Sequence, residues 1–179
     1  HAREQVAKSI NAEPNQIFFT SGSTESNNWI ISNFNHVLCS KVEHHSILNN
    51  PKCTPIAFDN LANTIHKQRP DLVTHMYVNN ETGEIFDIVE KANNAHNLGM
   101  LVHSDMTQAL GNIHVNLHQL PIDIATFSGH KAHAPKFCGV IYFKQDAFKK
   151  EKIKPLIYGS QESTYRGGTE NIPYIHAMS

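Results

Sequence analysis

The chain has 179 residues, 40% of them hydrophobic, and a formal net charge of −1. That length is enough for one domain with a sizeable core, and the apolar share excludes a disordered chain. The near-zero charge gives no electrostatic case for nucleic acid or an anionic membrane, and no apolar run reaches the length of a membrane helix.

Ala2 to Ile10 places Ala2, Val6, Ala7 and Ile10 at a helical period. Asn11 to Asn15, with Pro14, breaks it. Ile17 to Phe19 reads as a short buried strand, followed by the small-residue loop Thr20-Ser21-Gly22-Ser23-Thr24 and a helix from Glu25 to Ile31. Such a loop feeding a helix start offers N–H groups and hydroxyls to an anion; an ordinary N-cap by Ser23 or Thr24 accounts for it equally well. His36 to Cys39 is a second strand, ending near Glu43-His44-His45, and Thr54 to Phe58 a third, leading to a short helix around Leu61 to Lys67. Leu72 to Val78, rich in β-branched residues, is the fourth strand, and Asn79-Asn80-Glu81-Thr82-Gly83 follows as a turn.

Ile85 to Leu98 reads as an amphipathic helix stopped by Gly99. Met100 to His103 is the fifth strand, with Asp105 just beyond it. The loop-rich stretch from Asn112 to Pro121 leads to a sixth strand, Ile122 to Phe127, and Cys138 to Phe143 is the last; Ala147 onward is charged, helical or irregular. Strands alternating with helices predict an α/β fold: a mostly parallel sheet of about seven strands, helices on both faces.

Ser128-Gly129-His130-Lys131 leaves the end of the sixth strand, where ligands bind in open α/β sheets. A lysine there is partly desolvated and can serve as a Schiff-base nucleophile, although a lone lysine is far more often solvated. The three cysteines, Cys39, Cys53 and Cys138, are odd in number and widely spaced, neither a disulfide framework nor a zinc pattern. A reducing, cytoplasmic setting is therefore expected. Histidines are many but scattered without metal-ligand spacing, so no metal is expected.

Six pieces occur in order: Phe19 to Asn28, Glu43-His44, Val78 to Gly83, His103 to Gln108, Ser128 to Lys131, and Arg166-Gly167-Gly168-Thr169. Together they resemble the motif series of the NifS-like cysteine desulfurases, pyridoxal 5′-phosphate (PLP) enzymes of the class V aminotransferase group. The resemblance runs from Ala2 to Asn171 and implies the large domain of an aspartate-aminotransferase-like PLP transferase across residues 1–179. Family members are about twice this length, so an N-terminal segment and a C-terminal small domain are expected outside the chain. There too would lie the persulfide cysteine and the arginine for the substrate carboxylate.

By that resemblance Lys131 anchors PLP and shuttles the proton, while Ser23, Thr24, Ser128 and His130 bind the phosphate. Asp105 pairs with the ring nitrogen, His44 stacks on the ring, and Gln108 and Asn80 tune its hydroxyl. Thr169 reaches the phosphate of a partner subunit, which implies a homodimer. The implied reaction removes sulfur from L-cysteine or a similar amino acid, leaving alanine and an enzyme persulfide for a sulfur-acceptor protein. Selenocysteine lyase or another class V reaction, or an inactive PLP-fold scaffold, are the alternatives. The chain departs from the family in reading Ala134-Pro135-Lys136-Phe137 where members usually have Gly-Pro-Lys-Gly, and the loop before Arg166 is poorer in glycine.

Overall fold

Along each long strand the buried side chains alternate between two cores, as a period of two requires of a sheet covered on both faces. In β1 (Ile17–Thr20), Ile17 and Phe19 enter one core and Phe18 the other; in β7 (Gly139–Phe143), Val140 and Tyr142 oppose Ile141 and Phe143. The same split places Leu38 against Val37 and Cys39 in β2 (Val37–Ser40), and Ala125 and Phe127 against Ile124 in β6 (Ile124–Ser128). The computed structural model describes residues 1–145, 147–148 and 153–179; part of the charged stretch read after Ala147 lies outside them.

The remaining strands are β3 (Cys53–Ile56), β4 (Leu72–Thr74) and β5 (Leu101–Asp105). The sheet runs β1-β7-β6-β5-β4-β2-β3. Pairs from β6 through β3 are parallel, and β7 is antiparallel to both β6 and β1. Six strands therefore point one way and β7 alone opposes them, which bears out the expected mostly parallel sheet.

One face is covered by α1 (Ala2–Ser9), α4 (Leu61–Gln68), α5 (Ile88–His96) and α6 (Ile172–Met178), through Val6, Leu61, Ile65, Ala92 and Ile175 among others. The other face takes α2 (Ser23–Ser32) and the short α3 (His45–Leu48), through Trp29, Ile30, Ile31 and Ile47. Trp29 is buried, packs edge-on to Phe18 and Phe143, and donates its indole N–H to the Lys154 carbonyl. Its amphipathic ring is thus satisfied at both ends.

Most boundaries shift by a residue or two; the two largest differences from the sequence reading each come with a contact distant in the chain. The fourth strand ends at Thr74 rather than Val78, because the Glu43 carboxylate takes the Met76 N–H at 2.6 Å. The helix expected from Ile85 begins at Ile88, since Ile85 forms an antiparallel bridge with Val78. Asp87 then caps it, accepting from the Glu90 N–H at 3.0 Å. Gly99 ends the segment at φ +78°, as expected of a residue just past a helix.

Phe137 adopts φ +63° with its side chain 69% exposed. This is the left-handed region, which costs a residue bearing a Cβ about 1–2 kcal/mol, and the ring recovers little of that by burial. Phe137→Gly is expected to stabilise the full-length protein by roughly 0.5–1 kcal/mol after the added unfolded-state entropy of glycine is deducted. Thermal unfolding reads this as a rise of a few degrees; an unchanged or lower midpoint would show that the aromatic side chain compensates the backbone strain.

Candidate functional site

The parallel strands deliver their following loops to one end of the sheet, where ligands bind in open α/β folds. A cavity there is lined from five directions. His130 and Lys131 come from the end of β6, and Asp105, Thr107 and Gln108 from the end of β5. Asn80 follows β4, His44 follows β2, and Ser23 and Thr24 follow β1.

The route from β1 depends on glycine. A Cβ at Gly139, which opens β7, would lie 2.4 Å from Gly22 Cα, so only glycine lets the loop fold over the end of β7. Gly22 is the N-cap of α2 and no side chain caps this end. The expected Ser23 or Thr24 cap is therefore absent. Ser23 and Thr24 instead face the cavity at a helix start whose first N–H groups have no helical acceptor. Glu25 is drawn away from it: Arg166 donates to Oε1 at 2.8 Å and Oε2 at 3.1 Å, and the Ser21 N–H to Oε2 at 3.0 Å. Burial pushes the Glu25 carboxyl upward, but these bonds, led by Arg166, outweigh it and hold the group below its ordinary range.

Asp105 is buried at the end of β5, with Oδ1 accepting from the Thr107 N–H at 3.0 Å and Oδ2 from Asn27 Nδ2 at 2.8 Å. Glu43 lies in the same region, almost fully buried. Burial first, and the Asp105 charge second, push its carboxyl well above the usual range. Its Oε1 accepts from the Met76 N–H, and Oε2 has no partner among the described residues.

His44 caps α3. The Ser46 N–H donates to its Nδ1 at 3.1 Å, so in the neutral ring the proton sits on Nε2. Helix cap and cavity wall are one residue. The turn after β4 divides its labour: buried Asn79 Oδ1 accepts from the Glu81 and Thr82 N–H groups, both at 2.9 Å, leaving Asn80 on the cavity. Ser128 stands behind the wall, its hydroxyl 2.9 Å from His130 Nδ1. Burial, then the charges of Lys131 and Lys136, press the His130 imidazole below its ordinary value. Lys131 itself is exposed, so the partial desolvation expected of it is not found; β6 places it at the cavity's open side rather than in its floor.

The model of the class V aminotransferase family matches residues 1–179. The chain belongs to the class V aminotransferases. It is 35% identical to the cysteine desulfurase IscS of Methanosarcina thermophila over 199 residues, covering 97% of this chain and 48% of that protein. Among solved structures it superposes on a NifS-like protein with a TM-score of 0.88 at 32% identity, covering 99% of this chain and 55% of that one. A structure described as SspA in complex with cysteine gives 0.87 at 30% identity, covering 99% and 57%. The chain thus spans about half the length of the curated relatives it matches.

In this class V aminotransferase chain, eight of the residues singled out from sequence line the one cavity. Ser128 supports it from behind, and Thr169 lies in a separate cleft with Phe137 and Arg166. The loop leading there holds Glu162, Ser163 and Thr164 consecutively at φ 45°, 55° and 73°. Glu162 tethers this strained turn by accepting from Arg3 at 2.7 and 3.0 Å and from the Phe19 N–H at 3.0 Å. Sequence reasoning gave no role to Thr107, which lines the cavity and whose buried hydroxyl has no partner among the described residues. It also passed over Asn27, although a position three residues after Thr24 on a helix shares its face. Among the described residues no group of three or more His, Cys, Asp or Glu side chains is arranged to hold a metal ion, and no helix is long and apolar enough to cross a membrane.

His103 is fully buried in β5, and burial lowers its pKa to about 4. In the unfolded chain it titrates near 6.5, so between those values the unfolded state binds the extra proton. Stability is accordingly expected to fall as pH drops from about 6.5 toward 4, by at most about 1.4 kcal/mol per unit for this group. Urea unfolding of wild type and His103→Gln across that range checks this; equal slopes would show that His103 does not titrate differently on folding.

Proposed function

We propose that the cavity holds PLP and that the protein is a cysteine desulfurase. The observation that carries the reading is the shared cavity of Lys131 and Asp105, a primary amine and a buried carboxylate at the ends of adjacent strands, beside an uncapped helix start. The residues fit the group. Ser23, Thr24 and the α2 N-terminus, with Ser128 and His130, suit a phosphate, and the orphaned Thr107 hydroxyl lacks a partner that a polar ligand would supply. Bound PLP supplies an electron sink for carbanion character at an amino-acid substrate.

The remaining work falls to the chain. Lys131 Nζ would hold the cofactor covalently and, when free, would take up and return the proton. Asp105, its carboxyl held by two N–H donors, would keep a proton on the ring nitrogen. His44 offers a flat ring whose Nδ1 is engaged and whose Nε2 carries the proton. Asn80 and Gln108 line the cavity and would hydrogen-bond the ring hydroxyl.

The substrate assignment follows the relatives: cysteine desulfurases by name, and a structural neighbour described with cysteine. The thiol that accepts sulfur is none of this chain's three cysteines, for none lines the cavity. Cys138 is buried against Met178, and burial pushes its thiol up to about 11, unsuited to nucleophilic attack. A homodimer completes the site, supported by the exposed Tyr158 and Ile172 and by Thr169, which lies outside its own chain's cavity.

The test is a visible spectrum of the full-length protein with PLP, beside Lys131→Ala. A yellow band that borohydride fixes to Lys131, absent from the variant, is expected, with sulfide and alanine then released from L-cysteine. No band at saturating PLP would overturn the enzyme reading; a band without sulfide release would move the protein to another class V reaction.

A further inference from the structure

Behind the cavity runs a line of buried polar side chains that the proposed chemistry does not use. Thr74 on β4, His103 on β5, Thr126 on β6 and Asn27 on α2 are all buried. Thr74 Oγ1 lies 2.7 Å from His103 Nδ1, and His103 Nε2 lies 3.2 Å from Thr126 Oγ1. Thr126 Oγ1 donates to Asn27 Oδ1 at 2.6 Å. Asn27 Nδ2 then donates in two directions, to Asp105 Oδ2 at 2.8 Å and to Ser46 Oγ at 2.9 Å, and Ser46 Oγ is 2.8 Å from His44 Nδ1.

The directions are mutually forced. The Thr126 proton is committed to Asn27, so His103 must donate from Nε2 and accept Thr74 at Nδ1. The Asn27 amide then has one allowed orientation, oxygen toward β6 and nitrogen toward Asp105. A chain of hydrogen bonds satisfied at every member is rigid and mutually strengthened in a dry interior.

We infer that Asn27 is a positioning residue that fixes Asp105 and, through Ser46, His44 in one geometry, its amide oriented by the Thr74–His103–Thr126 line. The inference rests on the PLP reading, because that reading assigns Asp105 to the ring nitrogen and His44 to the ring face. A donor to Asp105 also stabilises its anion, so losing it makes the carboxylate more basic. The proton shared with the ring nitrogen is then drawn toward Asp105, and the proton on the Lys131 nitrogen is held more tightly.

The experiment uses the full-length protein loaded with PLP, reading PLP affinity and the pH midpoint of the visible band. Asn27→Leu, of similar size, is expected to weaken PLP binding about tenfold and raise the midpoint by about half a unit or more. Thr126→Val removes only the hydroxyl that orients the amide; it should shift the midpoint in the same direction by less, and Thr126→Ser should restore it. A wild-type midpoint and affinity in folded Asn27→Leu would overturn the inference, as would a Thr126→Ser variant that behaves like Thr126→Val, since that would assign the effect to the methyl group. If Asn27→Leu does not fold, the Thr126 pair decides. Wild-type protein that takes up no PLP would instead overturn the underlying reading, a separate outcome from a wild-type spectrum that the variants leave unchanged.

Discussion

One buried carboxylate sets the terms for this end of the sheet. Asp105 sits where β5 stops, closed in by apolar strands, and an ionised group there is tolerable only when its oxygens are held by donors. Thr107 and Asn27 provide them. Burial and the nearby Asp105 push the Glu43 carboxyl well above its ordinary range, and Asp105 is the acidic side chain on the cavity wall. The positions of α2 and the turn after β5 bring those donors to that carboxylate.

The opposite requirement governs the other wall. A helix start that receives an anion must be free of its own caps and of nearby acids. Gly22 removes the side-chain cap, and Arg166 draws Glu25 off the first turn. The close approach of Gly22 to Gly139 lets this helix start reach the ends of strands that are not its neighbours. Donors for an acid on one side and an open helix end on the other make the cavity asymmetric, in keeping with the PLP site proposed above.

Much of this was legible in the sequence, for physical reasons. All seven strands stood out because most are buried on both faces and read as short apolar runs, and the residues that follow them carry reactive groups. What escaped depends on contacts distant in the chain. Nothing near Met76 says that the Glu43 carboxylate will end β4, and nothing near Ile85 says that Val78 will pair with it. The role of Asn27 emerges only when α2 lies across β5 and β6. The exposure of Lys131 went against expectation because a position at a strand end does not determine how much chain covers it. The unusual Phe137 could be seen as a departure, but its left-handed backbone could not.

The antiparallel strand β7 has a consequence for how the molecule comes into being. β1 occupies an edge of the sheet and is paired with β7 alone, across about 120 residues of intervening chain. Such distant pairing is slow to form, because the loop must close before any contact rewards it. During synthesis β1 is made well before its partner, and it has no seat in the sheet until residues 139–143 emerge. The parallel block from β2 to β6 can assemble before then, with Asp105 and Lys131 already near one another. The side of the pocket proposed for the phosphate, at the loop after β1, therefore closes only after that parallel block can form.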